Sequence, residues 1–181
     1  ATNDEVAKYR AKRLRCKTLV EVGCGIGIQS IAFAEECEQL YCIEVDKRKL
    51  RYAQENAKQM GITNITFIEG DALQIVGLIP QADIVFCEPE RAAEEKERKL
   101  NDMRPNVKEL IRRYSVLTSD FCIELPPQMR TIELSGEKEY LSVNGELNRL
   151  NLYQGKLQHA EVSAVLLPAN HRLELQKGDK M

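Results

Sequence analysis

The residues best suited to chemistry sit at the ends of apolar runs. Val20 to Gly27, "VEVGCGIG", closes one run with Gly23, Gly25 and Gly27. Glycines let backbone approach a ligand closely, and a helix starting at once adds the partial positive charge of its N-terminus. That suits a phosphate or a carboxylate equally. Glu21, two residues before the first glycine, can help hold a cationic amino group. Glu44 ends the next run, in "CIEVD", near the roughly 20-residue offset at which an acid binds ribose hydroxyls. Asp46 competes for that role, but Asp is favoured as a helix N-cap. Asp71 follows a third run, in "IEGDA", where it can accept a hydrogen bond from an exocyclic amine. Val45 and Ala72, beside Glu44 and Asp71, complete the candidate cofactor set.

A fourth run ends in "FCEPER". Glu88 there can orient an amine by side chain or carbonyl, so it joins both the catalytic and the cofactor-binding candidates. Pro89 would fix the turn and remove a competing donor. Glu90 is a weaker candidate. Arg91 could grip a phosphate or carboxylate in bidentate fashion, or simply pair with a nearby acid.

These groups need elements to present them. Residues 17–23, 40–46, 64–72, 82–89 and 119–127 read as strands that are apolar throughout, as strands buried on both faces are. Residues 28–37, 47–61 and 106–117 have helical spacing, and Gly61 suits the position just past a helix end. Alternation of the two predicts βαβ units and an α/β fold with a mainly parallel sheet. Pro126 and Pro127 should break the fifth strand and start a short helix. Residues 139–155 hold two strand-like runs around Asn144-Gly145, the strongest short hairpin signal. Residues 161–168 read as one more strand, so the sheet should end in antiparallel C-terminal strands. Tyr140 and Tyr153 read as packing residues.

With 181 residues the chain suits one domain, taken here as 1–172 with a charged tail at 173–181. It opens without Met and in mid-helical pattern, as a piece lacking further N-terminal sequence would. A net charge of -2 excludes a globally basic nucleic-acid binder. Lys47-Arg48-Lys49-Arg51 and Lys8-Arg10-Lys12-Arg13-Arg15 could still form a phosphate-binding surface, or be solvated helix faces. The mixed-charge run 94–104 could be a lid or a solvated loop. No apolar run approaches the roughly 18 residues of a membrane span, and the N-terminus is too polar for a signal peptide. The six cysteines include no CxxC pair and fit reduced, buried thiols of a cytoplasmic protein; no metal-ligand spacing is present.

A glycine turn, a ribose acid and a polar residue for a base imply an adenosine-containing cofactor. NAD and S-adenosyl-L-methionine both fit. The turn is GxGxG rather than GxGxxG, and the Glu21 carboxylate would repel a pyrophosphate, which favours S-adenosyl-L-methionine.

In order, VEVGCGIG, CIEVD, FIEGDA and FCEP resemble class I S-adenosylmethionine-dependent methyltransferases. "VDKRKLRYAQENAKQMGITNITFIEGDAL" and "YLSVNGELNRLNLYQGKL" are similar to the trimethylguanosine synthase type of RNA cap guanine-N2 methyltransferase and its archaeal relatives. The resemblance also extends to uncharacterised methyltransferases with an Asp-Pro-Ala-Arg-like turn. It implies a Rossmann-like fold, and cofactor contacts from Glu21, Gly23, Gly25, Gly27, Glu44 and Asp71. It further implies an RNA substrate, with methyl transfer to a nitrogen of tRNA, rRNA or cap-like guanosine. The family's Pro-Pro-aromatic is replaced here by Pro89-Glu90-Arg91. Alternatives are transfer to a small molecule or protein, a domain that binds cofactor without catalysis, and, more distantly, a NAD-linked enzyme.

Overall fold

The computed structural model describes residues 2–91, 100–129, 131–176 and 178–179. Its frame is one nine-stranded sheet with helices on both faces. β1 (Cys16–Val22), α2 (Ile28–Ala34), β2 (Cys37–Glu44), α3 (Lys47–Gln59) and β3 (Ile65–Glu69) follow α1 (Asp4–Arg13). β4 (Ile84–Cys87) leads to a small antiparallel pair, β5 (Glu90–Arg91) and β6 (Met103–Arg104). α4 (Val107–Tyr114), β7 (Phe121–Leu125), β8 (Glu137–Val143), β9 (Glu146–Tyr153), β10 (Val162–Leu167) and β11 (His171–Leu175) complete the chain.

The strand order is β11-β10-β8-β9-β7-β4-β1-β2-β3. From β7 to β3 all neighbours are parallel. The chain runs outward from β1 to β3, then returns to place β4 on the other side of β1. The boundary between β1 and β4 is thus the topological switch point, the place where open α/β sheets bind ligands. One face of the sheet packs Leu19, Phe33, Leu40, Leu50 and Phe86 among α1, α2 and α3. The opposite face buries Val22, Ile43, Val85, Leu110, Tyr114 and Ile123 under α4.

Several elements differ from expectation for identifiable reasons. The helix expected over 28–37 stops at Ala34, because Cys37 already pairs with Cys16 of β1. α1 starts cleanly, with the Asn3 side chain accepting the Glu5 N–H. Pro126 and Pro127 make a turn, closed by Met129 N–H donating to the Pro126 carbonyl at 2.9 Å, and among the described residues no helix follows it before β8. Asn144 and Gly145, at φ 51° and 85°, form the hairpin tip between β8 and β9 as the dipeptide predicts. β10 lies parallel to β8, because β9 ends beside the start of β8 and the short connection that follows starts β10 at that same end. β11 pairs with β10 and runs to Leu175, taking in the first three residues of the expected tail. Arg172 anchors it to the buried carboxylates of Glu137 and Glu139.

Of the charged run 94–104, residues 94–99 lie outside the described residues. No helix among the described residues is long and apolar enough to cross a membrane. All six cysteines are free thiols.

Candidate active site

A cavity of about 630 Å³ opens at the switch point. Gly23, Glu44, Val45, Asp71, Ala72 and Glu88 all line it, so four consecutive strand ends of the sequence reading meet in one place. Glu21, Gly25, Gly27 and Pro89 are not on its wall.

Glu44 ends β2 and is almost fully buried. Its Oε2 accepts the Gly25 N–H and its Oε1 accepts the Asp46 N–H, both at 2.9 Å. One carboxylate therefore ties the glycine turn of β1 to the start of α3. Asp46 caps α3, accepting from the Arg48 and Lys49 N–H groups. Each Glu44 oxygen retains a lone pair for a ligand hydroxyl.

Gly23 sits at φ 79°, and a Cβ there would stand 3.4 Å from the Glu88 carbonyl oxygen. Gly27, at φ 84°, has a different duty. A Cβ would meet Ala53 Cβ at 3.0 Å and Cα at 3.2 Å, so this glycine lets α2 pack against α3.

Glu21 lies beneath the turn, fully buried, rather than against the cavity. It accepts hydrogen bonds from Ser30 Oγ on α2 and Cys42 Sγ on β2. Burial pushes its carboxyl up to about 7. In this position Glu21 braces the turn from below.

The third strand end is fixed by α4. Tyr114 donates to the Ala72 carbonyl at 2.9 Å and Arg113 to the Leu73 carbonyl at 2.8 Å. Asp71 accepts the Leu73 N–H, which leaves its second oxygen for the cavity.

Glu88 is half-buried at the end of β4. Burial first, then the Glu124 charge, raise its carboxyl above the ordinary value, and Arg10 and Arg149 oppose that rise. Glu90 reaches across to Lys49 of α3 in an exposed ion pair at 2.5 Å. Its backbone pairs with Arg104, and Asp102, Met103, Arg104, Pro105 and Asn106 form the remaining wall. Sequence reading missed that wall, since nothing in "LNDMRPN" announces a return to the sheet edge.

Of the N-terminal basic set, Arg10 and Arg13 turn inward, while Lys8, Lys12 and Arg15 are exposed. Arg10 is 0% exposed, held by Glu124, Gln29 and Asn151 and stacked 4.8 Å from the Phe86 ring centre. Arg13 pairs with Glu137 and Glu139. On α3, in contrast, Arg48, Arg51 and Lys58 are exposed beside Tyr52, which is 64% exposed. Tyr153 is fully buried and Tyr140 packs against the core, as expected. Among the described residues no group of three or more His, Cys, Asp or Glu is arranged to hold a metal.

A family model described as a methyltransferase domain matches residues 15–160. The chain belongs to the methyltransferase domain family. Over 85 residues it is 33% identical to a tRNA (uracil(54)-C(5))-methyltransferase of Schizosaccharomyces pombe, covering 45% of this chain and 16% of that protein. It is 34% identical over 77 residues to an uncharacterized RNA methyltransferase of Enterococcus faecalis, covering 40% and 17%. The chain thus spans under a fifth of either relative.

Solved structures share the fold. A Porphyromonas gingivalis W83 protein provisionally described as a methyltransferase superposes with TM-score 0.79 at 17% identity, over 100% of this chain and 47% of that one. TrmK of M. capricolum, solved with S-adenosyl-homocysteine, gives TM-score 0.61 at 13% identity, over 82% and 67%.

Proposed function

We propose that this chain transfers a methyl group from S-adenosyl-L-methionine to a nitrogen on RNA. The observation that carries this is the convergence of Gly23, Glu44, Asp71 and Glu88 on one cavity at the β1/β4 boundary. Its volume lies within the usual range for small-ligand sites. Among the described residues its lining carries five carboxylates, Glu44, Asp71, Glu88, Glu90 and Asp102, against one cation, Arg104. That charge suits a cationic cofactor and opposes a pyrophosphate. Glu44 would hold the ribose, Asp71 the adenine amine, and the backbone at Gly23 the amino-acid end.

When bound, the cofactor supplies an activated methyl group, so the protein's task is to position the acceptor. Glu88 accepts the acceptor's N–H and takes up the proton that the nitrogen sheds. Pro89 holds the turn that presents it.

Two features favour nitrogen over ring carbon. Methylating a pyrimidine carbon calls for a nucleophile that activates the ring. Cys87, next to Glu88, is fully buried and burial raises its thiol far above the thiolate range. No cysteine lines the cavity. The RNA assignment is supported by the RNA methyltransferases among the relatives and by the exposed Arg48, Arg51, Tyr52 and Lys58 of α3. The trimethylguanosine synthase likeness points to a guanosine acceptor. The Glu88–Arg91 turn has no aromatic residue, so base recognition would rest on hydrogen bonds rather than stacking there.

Incubation with methyl-labelled S-adenosylmethionine and separate RNA, protein and metabolite pools tests this reading. Label in RNA is expected. Label confined to another pool overturns the RNA assignment, and cofactor binding without label in any pool overturns catalysis.

A further inference from the structure

Glu88 has an acidic neighbour that is not on the cavity wall. β4 and β7 are parallel, in register at Val85 with Phe121, Phe86 with Cys122 and Cys87 with Ile123. One step further along, Glu88 stands level with Glu124. Two carboxylates therefore end two neighbouring strands at the switch-point edge. Glu124 is only 7% exposed.

The two acids have unequal surroundings. Glu124 binds the buried guanidinium of Arg10 and lies 2.8 Å from Arg149 Nε on β9. Arg10 is fixed in turn by Gln29 at 2.8 Å and Asn151 at 3.1 Å. Glu88 has no such arginine clamp. Its one hydrogen bond among the described residues comes from the Thr2 hydroxyl, at 3.5 Å. Among the described residues, the charged and titratable groups acting on Glu88 are Glu124 of β7, Arg10 of α1, Arg149 of β9, Glu21 of β1 and the adjoining Cys87 thiol.

We infer that Glu124 is a positioning residue for Glu88: clamped at the adjacent strand end by Arg10 and Arg149, it sets Glu88 to accept the proton released by the acceptor nitrogen. This rests on the proposed function. Pairs of carboxylates whose surroundings drive them apart divide into one that stays ionised and one that exchanges protons near neutrality. Glu124 is the member that faces two cations, Arg10 and Arg149. Its charge and the burial of Glu88 hold the Glu88 proton more tightly than an ordinary carboxylate would. On transfer the nitrogen gains a methyl group and loses a proton, and the proton ends on the Glu88 carboxylate. The cofactor leaves as a neutral thioether, so charge balances.

Two substitutions push Glu88 in opposite directions. Glu124→Gln removes the negative neighbour and lowers the Glu88 pKa. Arg149→Gln removes a positive one and raises it. Carbon-13 NMR of labelled glutamate carboxyls, with Glu88 assigned by Glu88→Gln, reads this without any acceptor or cofactor. The expected shifts are on the order of one pH unit, down and up respectively. The acid limb of the methyl-transfer rate should move with them. A Glu88 titration unchanged in both variants overturns the inference, as does a limb that stays fixed while the titration moves. Glu124→Gln leaves Arg10 without its carboxylate and risks unfolding. In that case Arg149→Gln decides alone, because a merely structural role would lower the rate without moving the limb upward. Absence of transfer by the unaltered chain is seen before any variant is made and counts against the proposed function, not against the pairing of the two acids.

Discussion

The Glu44 carboxylate accepts the Gly25 N–H at 2.9 Å, joining the end of β2 to the glycine turn that follows β1. Those two features are read separately in the sequence, one as a ribose acid and one as a backbone cradle. In the structure they are one unit. The acid holds the turn in shape, and the turn leaves the acid one free lone pair per oxygen toward the cavity.

Gly27→Ala should destabilise the fold more than it harms the cavity. The new methyl would meet Ala53 within 3.0–3.2 Å, and the backbone is at φ 84°. A loss of roughly 1–3 kcal/mol is expected, readable by urea unfolding. An unchanged midpoint would contradict the proposed packing of α2 on α3.

Glu21 should make stability fall as pH rises. Burial raises its folded pKa to about 7, above the ordinary carboxylate value it regains on unfolding. The folded state thus holds the proton more tightly. Its contribution is full below the unfolded pKa and is lost as pH climbs to about 7, at up to about 1.4 kcal/mol per unit. Glu21→Gln removes the ionisation, so its melting temperature relative to the unaltered chain should be higher at pH 8 than at pH 5. The opposite ordering would show that Glu21 is held ionised.

Glu88→Gln should separate binding from turnover. The amide keeps the shape of the cavity wall but accepts no proton. Loss of a general base costs about 10²–10⁴-fold in rate, and S-adenosylmethionine affinity should change little. Equal losses in both would assign Glu88 to cofactor binding alone.

Charge reversal on α3 tests the RNA face. Arg48→Glu with Arg51→Glu should weaken RNA binding and flatten its salt dependence, since every cation withdrawn from a phosphate leaves one counterion unreleased. Cofactor affinity should stay unchanged, because neither side chain lines the cavity. An unaltered salt slope would remove α3 from the RNA surface.

The parallel half of the fold is legible in the sequence because strands buried on both faces are written as unbroken apolar runs. "TLVEV", "LYCIE" and "DIVFC" allow few other readings. The cofactor edge is legible for the same reason, since Gly23, Glu44, Asp71 and Glu88 each follow such a run. The C-terminal sheet is less so. The direction of β10 depends on β9 ending beside the start of β8, which no local pattern records. The arginines of α1 look like a solvated basic face, and only the fold reveals the buried Glu124, Glu137 and Glu139 that absorb Arg10 and Arg13. Glu124 itself reads as the last polar residue before a proline turn. Its place level with Glu88 emerges only from strand register.

The central claim is that the cavity between the ends of β1 and β4 holds S-adenosylmethionine through Glu44. Calorimetric titration of the unaltered chain and of Glu44→Ala tests it most directly. One-to-one binding of S-adenosylmethionine and S-adenosylhomocysteine is expected, with no binding of NAD. In Glu44→Ala the affinity should fall roughly ten- to a hundredfold, the worth of a hydrogen-bonded charge. Failure to bind either sulfur ligand, or equal affinity in the variant, would contradict it.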